Sequence, residues 1–96
     1  MILEVGDIIE IRNKQATICY TTTIDKTNYI CVSFENKELE YNIYKYKFED
    51  TKLLVAEVTD QEEIKPVLET FIKEGLKEYG LPKELEVIYS KIENKE

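Results

Sequence analysis

Ala16-Thr17-Ile18-Cys19-Tyr20-Thr21-Thr22-Thr23-Ile24, the turn Asp25-Lys26-Thr27-Asn28, and Tyr29-Ile30-Cys31-Val32-Ser33-Phe34 decide the fold class of this chain. Both runs are rich in β-branched and aromatic residues and alternate with a period of two, the pattern of strands with one face buried. Ala16, Ile18, Tyr20, Thr22 and Ile24 share one face of the first, and Ile30, Val32 and Phe34 one face of the second. A three-residue loop at Lys26-Thr27-Asn28 pairs those faces, setting Ile24 opposite Ile30, Thr22 opposite Val32, Tyr20 opposite Phe34 and Cys31 opposite Thr23.

That register bears on the two cysteines. Cys19 lies four residues from Thr23, roughly 13 Å at about 3.3 Å per residue, whereas bridged Cα atoms are no more than about 7 Å apart. The expectation is two reduced thiols, consistent with a cytoplasmic protein.

The same alternation extends over residues 1–58. A turn at Gly6-Asp7 leads into a strand with Ile9 and Ile11, Glu35-Asn36-Lys37 turns into a strand from Glu38 to Phe48, and Lys52 to Val58 forms a fifth. In the fourth strand the apolar parity changes, from Leu39, Tyr41 and Ile43 to Tyr44, Tyr46 and Phe48, which predicts a β-bulge or sharp bend near Ile43.

From Asp60 the period becomes helical. Asp60 has the chemistry of an N-cap, with Glu63 three residues on as its capping-box partner. Ile64, Val67, Leu68, Phe71, Ile72, Leu76 and Tyr79 then form one stripe that also carries Gly75. Pro66 removes an internal hydrogen bond, so either the helix kinks there or its main body begins there. Gly80 and Pro82 end it. Residues 82–93 fit a second helix through Leu85, Ile88, Tyr89 and Ile92, or a short strand through Leu85, Val87 and Tyr89.

The fold class is therefore α+β in one domain, residues 1–96: a β part (1–58), a helix (59–80) and a C-terminal segment (81–96). About five antiparallel strands form a bent sheet or small SH3-like barrel, followed by one long amphipathic helix and a short C-terminal helix or strand. The Val5-Gly6-Asp7-Ile8-Ile9-Glu10-Ile11 opening is similar to that of many SH3-like barrels. The stretch from Ala16 to Glu74, through Tyr29-Ile30, Glu40-Tyr41-Asn42-Ile43-Tyr44 and Leu54 to Phe71, resembles the uncharacterised YrzB-like family of small acidic bacterial proteins. That resemblance implies no catalytic residues.

The 96 residues carry 13 Lys plus Arg against 20 Asp plus Glu, a formal charge of −7, and no His. The length suits a single core. Both parts, divided before Asp60, hold more acid than base, which opposes binding to a phosphate backbone. No apolar run has the length of a membrane span. Without His, the Ser-His-Asp, Cys-His and His-ligated metal chemistries are excluded, and the three glycines are too scattered for a phosphate loop. Glu62, Glu63, Glu69, Glu74 and Glu78 form the solvated side of the helix.

The expectation is a non-enzymatic cytoplasmic module that binds an unknown protein partner or a second copy of itself, with no catalytic residue, cofactor or metal. The alternatives are an acidic inhibitor mimicking nucleic acid and a weak single-stranded nucleic-acid binder. Tyr41 to Phe48 is the one locally cationic, aromatic stretch, and Tyr44, Lys45, Tyr46 and Lys47 are the candidate contact surface. Strand alternation sets the two lysines on the face opposite Tyr44 and Tyr46.

Overall fold

A computed structural model describes residues 2–34, 41–73, 85, 87, 88 and 90. Five strands, β1 (Ile8–Ile11), β2 (Lys14–Ile24), β3 (Thr27–Phe34), β4 (Tyr41–Glu49) and β5 (Lys52–Glu57), precede the helix α1 (Gln61–Lys73). The sheet is an antiparallel meander in the order β1-β2-β3-β4-β5.

The β2–β3 hairpin turns on two residues, not three. Ile24 pairs with Thr27, and Asp25 and Lys26 both take positive φ, 49° and 67°. These mirror-image turn angles match the right-handed twist of the flanking strands. Near the turn Tyr20 pairs with Cys31 and Thr22 with Tyr29. Between Ile18 and Tyr20 the register slips, and Ile18 pairs with Val32 and Ala16 with Phe34. The expected pairing of Tyr20 with Phe34 is thus corrected, and Cys19 is the extra residue of a β-bulge.

The bulge changes what β2 presents to each side. Ala16 and Ile18 pack into one cluster, with Ile30, Val32, Tyr44 and Tyr46. Tyr20 and Ile24, placed on the same face by simple alternation, pack instead against the other cluster, with Tyr29, Cys31 and Ile43. One inserted residue reverses side-chain direction for the remainder of a strand, so β2 serves two cores.

In β4 no bulge is present. It pairs with β3 in unbroken register from Asn28↔Tyr46 to Ser33↔Tyr41, and with β5 from Tyr44↔Glu57 to Glu49↔Lys52. The expected bulge near Ile43 is therefore incorrect. β4 is covered on both faces only around Ile43, which belongs to one core, while Tyr44, Tyr46 and Phe48 pack in the other and Lys45 and Lys47 are exposed. Where a strand passes from a doubly covered stretch to a half-covered one, its apolar residues change parity with no need of an extra residue.

The sheet curls into a nearly closed barrel. Its interior brings Ile9 and Ile11 of β1 together with Leu53 and Val55 of β5, although these strands stand at opposite ends of the meander. Arg12 reaches Glu57 at 3.8 Å across the seam. Leu3 is buried at one end of the interior, where its backbone N–H donates to the Tyr46 hydroxyl at 3.1 Å. Phe34 stands edge-on to Tyr44 and Phe48 edge-on to Tyr46.

The helix covers the outer face of the barrel. Ile64, Val67, Leu68 and Phe71 are buried over Tyr29, Cys31 and Ile43, and the Phe71 ring lies 5.8 Å from that of Tyr20. Asp60 caps α1: its Oδ1 accepts from Glu62 N–H at 3.0 Å and its carbonyl from Glu63 and Ile64 N–H. The capping box is half formed among the described residues, because Glu63 turns its carboxylate toward the sheet.

Pro66 lies inside α1, which runs through it from Gln61, so the helix does not begin at Pro66. The proline deprives the Glu62 carbonyl of its partner, and both residues lie on the exposed side of the first turns, where that loss costs least. Leu85, Val87, Ile88 and Ser90 have helical backbone, and Leu85 and Ile88 are buried in the same core as Phe71. The Glu35-Asn36-Lys37 turn, the helix stripe at Gly75, Leu76 and Tyr79, and the Gly80 and Pro82 terminator lie outside the described residues.

Candidate functional site: a lysine-rimmed groove on the sheet

The candidate contact residues divide as alternation requires. Tyr44 and Tyr46 are buried in the barrel, 5 % and 7 % exposed, and Lys45 and Lys47 lie exposed on the outer face. The aromatic rings are thus enclosed, and the surface presented by this strand is cationic. Beside Lys45 and Lys47 stand their β5 partners, Ala56 and Leu54. Toward β3 the row continues through Thr27 and Asn28 to Lys26 of the turn, and together these residues line a groove of about 350 Å³.

Among the described residues, α1 covers only part of the outer face and leaves this groove beside it. The rows through Cys31 and Ile43 are roofed by helix side chains. The rows through Lys45 with Ala56 and Lys47 with Leu54 are left open by the described residues, and there Leu54, Ala56, Lys26, Lys45 and Lys47 line the groove. Lys26 and Leu54 carried no sequence signal of their own. The β2–β3 and β4–β5 registers bring them to the same face, and the two-residue turn was the feature to recognise.

At the boundary between roof and groove, Glu63 joins helix and sheet. Its Oε2 accepts from the Tyr29 hydroxyl at 2.8 Å and from Lys45 Nζ at 3.3 Å. Lys47 pairs with Glu49 at 3.3 Å, and among the described residues Lys26 has no ion-pair partner. Exposed pairs of this kind exchange readily with solvent or a ligand, since each contributes only about 0.2–1 kcal/mol.

Burial and the neighbouring Glu63 carboxylate hold the Tyr29 hydroxyl above its ordinary value of 10.0. Burial, with Glu57 adding to it and Arg12 opposing, does the same to Tyr44. The Cys31 thiol is pushed well above 9.0, chiefly by burial and next by Cys19. All three keep their protons longer folded than unfolded, so their contribution is complete below the unfolded values and declines as pH rises toward the folded ones. Urea midpoints should hold steady from neutrality to about pH 8.5, then fall, with Cys31→Ala removing the earliest part of the decline. An undiminished midpoint at pH 11 would contradict the burial of these groups.

Among the described residues, no three of Cys, Asp and Glu are grouped so as to hold a metal ion, and no helix is long and apolar enough to cross a membrane. Compared with known proteins, the chain matches no family profile, no curated protein and no solved structure.

Proposed function

We propose that this protein is a non-enzymatic binding module whose groove between the β2–β3 turn and the β4–β5 pair receives an extended acidic segment of a partner protein. The observation that carries this reading is the groove itself, with its apolar floor of Leu54 and Ala56 and its rim of Lys26, Lys45 and Lys47, on a chain whose net charge is −7. Three lysines beside one apolar strip, two of them in exchangeable pairs with Glu63 and Glu49, in a protein that repels anions elsewhere, favour a ligand with carboxylates spaced along a slender backbone.

Nucleic acid gains less support. A stacking platform needs accessible rings, and Tyr44 and Tyr46 are enclosed. We also read the curled meander as an SH3-like barrel; the Gly6-Asp7 turn into β1, with Gly6 at φ +97°, supports that reading. The cytoplasmic assignment is supported by two cysteines present as thiols in the fold.

Fluorescence polarisation tests the proposal with a labelled Asp/Glu-rich peptide, a Lys-rich peptide and a single-stranded oligonucleotide, each at low and moderate salt. Only the acidic peptide should bind. Lys26→Glu together with Lys47→Glu should weaken it about tenfold, near 1.4 kcal/mol, because each reversal replaces an attraction with a repulsion. No acidic-peptide binding at low salt, or binding indifferent to both reversals, overturns the proposal, as does a preference for the oligonucleotide. The chemically distinct alternative of self-association through the N-terminal segment and the start of β1, where Ile2, Val5 and Ile8 are exposed, would appear as a concentration-dependent mass with no peptide affinity.

A further inference from the structure

We propose that Cys19 and Cys31 form a reversible redox pair, closing an intramolecular disulfide across the β2–β3 hairpin when the protein meets a peroxide. The geometry rests on the bulge. A bulge sets two consecutive residues of one strand opposite a single residue of its neighbour, and the register passes from Ile18↔Val32 to Tyr20↔Cys31, leaving Cys19 and Tyr20 both facing Cys31. Opposed Cα atoms in an antiparallel pair stand about 4.5–5.5 Å apart, within the roughly 4.4–6.8 Å that disulfides span. The side chains share a side as well, since Cys19 packs against the helix-covered cluster to which Cys31 belongs. With a three-residue loop and no bulge they would stand far apart; the observed hairpin removes that separation.

The two thiols are unequal in their access to solvent. Cys19 is partly exposed, and its S–H points along β2 toward the Thr17 carbonyl at 3.7 Å. Cys31 is fully buried, and burial holds its proton firmly. Cys19 is thus the sulfur that a peroxide reaches, and it reacts once its proton has left. Its attack on one peroxide oxygen breaks the O–O bond, leaving a sulfenic acid and releasing hydroxide, which takes up the thiol proton as water. The Cys31 sulfur then attacks the sulfenic sulfur, the S–O bond breaks, and the Cys31 proton leaves with that hydroxyl as a second water. Two thiols lose two electrons in all, and one hydrogen peroxide gains them. Reduction by a dithiol reverses the change.

The test treats the full chain under native conditions with hydrogen peroxide, then unfolds it, alkylates it and measures intact mass before and after dithiothreitol. The expected product is a monomer lighter by two hydrogens that takes up no alkyl group, and that accepts two after reduction. Cys31→Ser should instead accumulate sulfenic and sulfinic acid on Cys19, and Cys19→Ser should leave Cys31 unoxidised at the same peroxide dose. Should either variant fail to fold, the wild-type masses alone decide. Sulfinic Cys19 beside an intact Cys31 thiol, or a disulfide found only between chains, overturns the inference.

Discussion

Phe71→Ala should destabilise the protein by about 3–5 kcal/mol, the range for emptying a fully buried aromatic site. Phe71 is 0 % exposed and lies at the centre of the outer core, against Tyr20 and between the helix stripe and Cys31 of the sheet. Its loss leaves a cavity that neither neighbour can fill, since sheet and helix backbones are each held by their own hydrogen bonds. The loss is a large part of the roughly 5–15 kcal/mol that holds a domain of this size together. Urea unfolding followed by far-ultraviolet circular dichroism measures it. A mutant with the parent's midpoint would mean that α1 does not roof the sheet.

Ile30→Asp and Cys31→Asp should each be as damaging or more, by more than about 4 kcal/mol, although the two side chains point in opposite directions. In a sheet with one wet face, one of two successive residues tolerates a charge. In β3, Tyr29, Ile30, Cys31 and Val32 are all buried, Ile30 and Val32 toward the barrel interior, Tyr29 and Cys31 beneath the helix. A carboxylate at either site loses its hydration without gaining a partner, so it must protonate or force the core open. Thr23→Asp, at an exposed site on the same hairpin, gives up only the hydroxyl's bond to Asn28 Oδ1 and should cost about 1 kcal/mol. Parallel urea titrations separate the cases. A stable, folded Ile30→Asp or Cys31→Asp protein would show that one of the two cores is absent.

The doubly buried strand also accounts for where sequence reasoning erred. In β4 the change of parity at Ile43 and Tyr44 predicts an inserted residue or bend if only one face is buried. At Ile43 both faces are covered, and the register is regular. In β2 the uniform alternation of Ala16, Ile18, Tyr20, Thr22 and Ile24 suggested one continuous face, yet the bulge lies there. A hydrophobic pattern reports whether a residue is buried and does not say against which core, so it distinguishes neither case.

The candidate site was legible to the same extent. Lys45 and Lys47 could be set apart from Tyr44 and Tyr46 by strand periodicity alone. Lys26, Leu54 and Ala56 could not be added, because their place in the groove depends on two hairpin registers and on how far the helix extends over the sheet. The Tyr29–Glu63 contact spans 34 positions and links elements that local sequence does not relate.

The amino-acid sequence by itself determined five strands, the helix stripe, the Asp60 cap, and the exclusion of histidine-based chemistry. These depend on local periodicity, on backbone preferences and on which side chains exist at all. Only the tertiary structure decided that the sheet curls until β1 and β5 share an interior, that a bulge at Cys19 turns β2 from one core to the other, and that both cysteines come to one place. Such outcomes follow from the simultaneous closure of two hydrophobic cores on opposite faces of one sheet. That requirement sets register and curvature together, and no single strand carries it.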